Sequence, residues 1–176
     1  MSFAVIAVIG VVAILVLVAQ ATSATDTGSG SEGCSGNAAG ECMPKFSLDE
    51  GATRIAGAMA GFETGTLADF DPNNTALWKG QAQRNNNPGN LRGINGTIKQ
   101  FQSPGAGFSA MISDIKSKIQ GRTTTGLNSS SSIFDLINVW APVGENSQAS
   151  VNNYIAFVAG QVGVEPNAPF NSYIEV

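Results

Sequence analysis

Residues Arg84–Arg92 read RNNNPGNLR. Four amides surround a Pro-Gly pair, and no nucleophile, acid or metal ligand stands among them. Asn87-Pro88-Gly89-Asn90 fits a type II β-turn, with Pro second and Gly third, and asparagine at its two ends ties down turn backbone. That accounts for Asn87 and Asn90 and leaves Asn85, Asn86 and the flanking arginines over. Amides both donate and accept hydrogen bonds, so a rigid turn displaying several of them suits the hydroxyl and N-acetyl groups of a sugar.

The chain on either side of this corner is mainly helical. Upstream, Ser47-Leu48-Asp49-Glu50 has the spacing of a capping box. Ala52, Ile55, Met59 and Phe62 follow on one helical face, and the helix ends at Glu63-Thr64-Gly65. Residues 66–83 read as loop and carry Asp69, Asp71 and Trp78. Downstream, Asn95-Gly96 between two short apolar runs predicts a hairpin with a type I′ turn. Ser103-Pro104 opens a second helix with proline in its first position; Phe108, Met111, Ile112, Ile115 and Ile119 form its stripe, and Gly121 stops it. Ser132 caps a short helix through Trp140, closed by Pro142. Ser147 caps a last helix with Val151, Tyr154, Ile155, Val158 and Val162 inward and Gly163 at its end. Four helices and one small β-hairpin predict an α+β, mostly helical domain over residues 46–176, a usual size for one core.

Composition narrows the chemistry. The 176 residues include no histidine, two cysteines and a net charge of -4. Histidine-dependent acid–base catalysis and a Cys/His zinc site are excluded, and no basic face points to nucleic acid. Carboxylates, lysines, hydroxyls and amides remain.

Residues 1–24 are a different material. Phe3–Ala19 is continuously apolar, and with the following residues it reaches roughly 33 Å as a helix, enough to cross a bilayer. It reads as a single transmembrane anchor. The alternative is a signal peptide cut after Ala19-Gln20-Ala21. Acidic residues and no Lys or Arg follow within twenty positions, which places the C-terminal domain outside the cytoplasm. Residues 25–45 are a Gly/Ser-rich tether. Within it Cys34 and Cys42 enclose a short loop that an oxidising compartment allows to close as a disulfide; two unpaired thiols are the alternative.

Glu63 is the candidate acid. A carboxylate at a helix C-terminus meets the negative end of the helix dipole, and with burial that raises its pKa. An ordinary solvated glutamate at a frayed end is the competing reading. Trp140 reads as a core aromatic and Tyr154 as core or ligand-facing, while Glu145-Asn146 lies in the loop between them.

In order, a helix ending Phe-Glu, then RNNNPGNLR, FQSPGAGFSAM, WAPVGEN and YIAFVAGQVGV resemble the lysozyme-like domain of phage virion-associated peptidoglycan hydrolases of the lytic transglycosylase group. The resemblance covers about residues 50–165. Thr64 departs from it, standing where the family has glycine. The resemblance implies a lysozyme-like fold and cleavage of the β-1,4 bond between N-acetylmuramic acid and N-acetylglucosamine. Glu63 is then the catalytic acid, and Asn85, Asn86, Asn87, Asn90, Arg92, Glu145, Asn146 and Tyr154 bind substrate, with no metal or cofactor. Partners would be glycan strands, a lipid bilayer through the N-terminal helix, and other virion proteins. The domain would sit on a virion membrane or on a bacterial inner membrane facing the periplasm. A hydrolytic muramidase, with Asp69, Asp71 or Glu145 as second carboxylate, and an inactive glycan-binding or structural virion protein of the same fold are the alternatives.

Overall fold

The computed structural model describes residues 35–36, 42–93 and 95–176. Helix α1 (Leu48–Thr64) runs through the middle of the core. Its apolar face is the one read from the sequence: Ala52, Ile55 and Met59 are fully buried, each such Ile or Met worth about 2–5 kcal/mol against truncation to alanine. Ser47 caps α1 by accepting from the Glu50 N–H at 3.2 Å. The expected reciprocal half of the box is absent, because the Glu50 carboxylate pairs with Arg54 one turn on (2.9 Å). Gly65 ends the helix in the left-handed region at φ 73°.

Helices α3 (Pro104–Ile119) and α5 (Gln148–Val162) pack on α1, and α4 (Ile133–Trp140) packs on α5. Ser103, Ser132 and Ser147 each cap their helix through the side-chain oxygen; only at Ser132 is the box complete, closed by Asp135. The domain is mostly helical.

Four local features differ from the sequence expectation. Residues 66–83 hold two short 3-10 turns, Leu67–Asp69 and Thr75–Leu77, and the start of a five-residue helix α2, Gly80–Arg84. The loop at Asn95-Gly96 is not a type I′ hairpin. The Gly96 N–H donates to Gly93 C=O (2.9 Å) and the Gly93 N–H to Thr97 C=O (2.8 Å), with Gly96 at φ 77°. This is a three-residue connection with glycine in the left-handed bulge position, and the flanking chain keeps a single bridge, Arg92 to Ile98, instead of strands. At the C-terminus a short helix α6 (Phe170–Tyr173) buries Phe170 completely. Beyond it Ile174 pairs in parallel with Phe46: the Phe46 N–H donates to Tyr173 C=O at 2.9 Å and the Glu175 N–H to Phe46 C=O at 2.8 Å. Within the stretch expected to be a tether, the two-residue strands β1 (Ser35–Gly36) and β2 (Cys42–Met43) pair antiparallel.

The anchor expected over residues 1–24 and Cys34, one half of the expected Cys34–Cys42 bridge, fall outside the described residues. No helix among the described residues is long and apolar enough to cross a membrane.

Candidate active site at the end of the first helix

The corner is rigid for reasons visible in its hydrogen bonds. Asn87 is fully buried. Its amide N–H groups reach Leu91 C=O and Lys99 C=O, both at 2.9 Å, and its carbonyl accepts from the Leu91 N–H at 2.9 Å. One side chain thus joins the turn to both sides of the loop beyond it, and both of its N–H groups are used on main chain. Asn86 donates to Phe101 C=O (3.1 Å) and Asn85 to Gln81 C=O (3.0 Å). Three of the amides expected to face a ligand therefore hold the corner's own backbone.

The turn closes from the Asn90 N–H to Asn87 C=O at 3.0 Å, but it is not type II. Gly89 does not take the positive φ that a type II turn requires at that position; Asn86 (φ 51°) and Asn90 (φ 49°) are in the left-handed region instead. Glycine at 89 fits a closely packed place. A Cβ there would stand 2.7 Å from Met111 Sδ and 3.0 Å from Trp140 Cζ2. Likewise a Cβ at Gly107 would lie 1.9 Å from the Asn86 carbonyl oxygen, so the first turn of α3 seats directly on the corner.

This packing brings the corner to the end of α1. Asn90 Nδ2 donates to Glu63 Oε2 at 2.8 Å. Glu63 is partly buried, and its carboxyl is held above the ordinary 4.5 by desolvation, opposed in part by hydrogen bonds from Asn90 and then, more weakly, from the Tyr154 hydroxyl and the Trp140 indole. The Tyr154 hydroxyl donates to Met59 C=O at 3.3 Å. Burial, with the Glu63 charge beside it, pushes Tyr154 well above its ordinary value; it stays a neutral donor at any physiological pH. Phe62 stacks on Tyr154 with centroids 4.1 Å apart and planes at 7°, an arrangement worth about 0.5–1.5 kcal/mol beyond area burial, and this fixes the ring beside the acid. Thr64 is fully buried and bonded back to Ala60 C=O at 2.8 Å, so it points away from solvent.

Arg92, two residues past Asn90, pairs with Glu145 (3.0 Å), and both side chains are exposed. Asn146 is exposed and bonds only weakly back to Pro142 C=O (3.4 Å). Asp69 and Asp71 are exposed on the segment after α1, and Asp71 is engaged with the Asn73 N–H (2.8 Å). No ionisable group other than Tyr154 contributes to the Glu63 shift.

Trp140, read from the sequence as a core aromatic, does pack against the hydrophobic core, and it also borders the site. It closes α4, is only partly buried, lies with its ring edge against Gly89, and is the last and weakest of the groups that lower the Glu63 carboxyl. Its place at the head of WAPVGEN, one residue before Ala141-Pro142 breaks the helix, was the available signal. Among the described residues no three acidic or cysteine side chains gather as a metal site. A separate depression of about 200 Å³, lined by Arg54, Ala58, Leu67, Phe70 and Gln161 among others, does not include Glu63. Comparison with protein-family models, with curated proteins and with solved structures gave no match.

Proposed function

We propose that the protein is a peptidoglycan lytic transglycosylase with a lysozyme-like domain, held to a membrane by its N-terminal segment and used by a phage to breach the cell wall at host entry. The observation that carries this reading is Glu63: a partly buried carboxyl with raised proton affinity, bonded by the neutral Asn90 amide at 2.8 Å, with no second carboxylate among the groups that shift it. An acid that must be protonated near neutral pH needs that environment.

One carboxyl suffices for the reaction. Glu63 gives its proton to the glycosidic oxygen as the C1–O bond of the muramoyl residue breaks through an oxocarbenium-like state. The carboxylate left behind, still bonded to Asn90, takes the proton of the C6 hydroxyl as O6 bonds to C1. The product is a 1,6-anhydro sugar, Glu63 is protonated again, and no water is consumed. A retaining or inverting hydrolase commonly requires a second carboxylate across the bond; Glu145 is neutralised by Arg92, and Asp69 and Asp71 lie on another segment.

The test is digestion of purified sacculi by the full-length protein in detergent, with products read by mass spectrometry. Anhydro-ended muropeptides, lost on Glu63→Gln, are expected. Equal release by both proteins removes Glu63 as the acid. Reducing ends instead of anhydro ends make the enzyme a muramidase, and retention on sacculi without release makes the domain a glycan-binding module.

A further inference from the structure

Between Asp71 and Asp114 the chain carries no acid and four cations, Lys79, Arg84, Arg92 and Lys99, although its net charge is -4. The fold gathers this stretch around the end of α1. The Lys79 N–H donates to Thr64 C=O, one residue past Glu63, at 3.2 Å, and the Lys79 stem lies 3.5 Å from where a Cβ on Gly65 would stand. Arg84 is the last residue of α2, directly before the corner. The Lys99 N–H donates to Leu91 C=O at 2.8 Å, and its own C=O accepts from Asn87 at 2.9 Å, so Lys99 lies alongside the residue that follows Asn90. All four cations are exposed. Arg92 pairs with Glu145; the other three make no ion pair among the described residues, with Asp69 and Asp71 or with any other acid. The negative ends of α1 and α2 favour a cation at Lys79 and Arg84. No helix ends at Lys99, and helix ends do not account for so long a stretch without an acid.

We propose that Lys79, Arg84 and Lys99 are specificity-determining residues that bind the carboxylates of peptides borne by the muramoyl residues, so that the substrate is peptide-bearing glycan in preference to bare glycan. This rests on the reading of the site as a glycan cleft. Each muramoyl residue of peptidoglycan carries its peptide on the lactyl group, close to the scissile bond, and that peptide has free carboxylates. Glu63 and Asn90 meet the sugar, and the exposed cations of the same stretch meet what projects from it. An exposed ion pair contributes little alone. Several cations in a stretch free of acids act together: they raise the local concentration of an anionic ligand and speed its arrival, most of all at low salt.

The experiment measures binding of soluble glycan strands, with their peptides and after enzymatic removal of them, to the full-length Glu63→Gln protein in detergent. Binding is read instead of cleavage. Adding Lys79→Gln, Arg84→Gln and Lys99→Gln together is expected to weaken binding of peptide-bearing strands about tenfold at low salt and to leave peptide-free strands within about twofold of the parent. Exchanging the same three residues between Lys and Arg, which keeps the charge, is expected to restore binding, and 1 M salt to erase the parent's preference for peptide-bearing strands. Equal affinities of parent and triple variant for peptide-bearing strands, or an equal loss on both kinds of strand, overturns the proposal. Selective weakening in the triple variant, with no cleavage of sacculi by the protein that retains Glu63, sinks the assigned reaction and leaves this result; cleavage with unchanged binding does the reverse.

Discussion

Asn90 Nδ2 and Glu63 Oε2, 27 residues apart in the chain, stand 2.8 Å from each other. The other amide atom of Asn90, its Oδ1, is buried without a partner, and the residue occupies a left-handed backbone at φ 49°. Asparagine tolerates that backbone better than most residues, and of its two side-chain polar atoms only Nδ2, on the acid, is paired.

Asn90→Asp keeps tolerance of the left-handed backbone but replaces the donor with a second carboxyl. Two acidic groups sharing one site raise one of the two pKa values strongly. The alkaline limb of the pH–rate profile, set by loss of the Glu63 proton, should move to higher pH, while release of muropeptides at pH 7 should fall on the order of 10²-fold because the donor that stabilises the Glu63 carboxylate during the reaction is gone. Steady-state digestion across pH 4–9 measures both.

Glu63→Gln should stabilise the fold at neutral pH. The folded carboxyl binds its proton more tightly than the unfolded one. Below about 4.5 both states are protonated and the residue contributes nothing. As pH rises through 4.5 and then the folded value, the unfolded chain ionises first and stability falls; above the folded value the penalty is complete. Thermal unfolding should therefore show Glu63→Gln melting on the order of 2–4 °C higher at pH 7.5, with the difference closing as pH drops below 4.5.

Asn87→Ala removes a buried side chain that satisfies three backbone groups. Unpaired buried groups cost about 1–3 kcal/mol each before relaxation, so a net loss of about 2–4 kcal/mol is expected by denaturant titration. The same variant should lose glycan cleavage even where it remains folded, because the corner that carries Asn90 is no longer fixed.

Gly89→Ala drives a methyl group into Met111 and Trp140. Overpacking of this kind costs about 1–3 kcal/mol. Displacement of Trp140 should appear as a shift in tryptophan emission in a Trp78→Phe background, and an unchanged spectrum would show that Met111 alone yields.

Arg92 and Glu145 form an exposed pair, 55% and 59% accessible. A double-mutant cycle should give a coupling of about 0.2–1 kcal/mol that vanishes in 1 M salt. For a one-carboxyl mechanism Glu145→Gln should reduce cleavage by less than about tenfold, whereas loss comparable to Glu63→Gln would mark Glu145 as a second catalytic carboxyl.

The helices were legible in the sequence because each signal for them is local. Serine caps at 47, 103, 132 and 147 and the stripes of α1, α3 and α5 lie within a few residues of what they specify. Glu63 was also legible, as a carboxyl at a helix end. The corner was read for the wrong physical reason. Its glycine suggested a positive φ, but the constraint at Gly89 comes from Met111 and Trp140, distant in sequence. Asn85 and Asn86 looked like free amides because their acceptors at Gln81 and Phe101 are backbone carbonyls, which the letters do not distinguish, whereas Asn87 was legible as a backbone tie but not its partners Leu91 and Lys99. The place of Trp140 was hidden for the same reason: only packing brings the end of α4 and Met111 of α3 onto Gly89.

The pairing of Phe46 with Ile174 has a topological consequence. The two ends of the folded segment meet side by side, so the path of the chain is nearly a ring with one gap. Bridging that gap with a short linker and opening the chain at the exposed Arg122–Gly126 loop would preserve every helix in a new order. It also means that a label or fusion added after Val176 emerges beside Phe46, where the preceding chain enters, and away from neither end of the same surface.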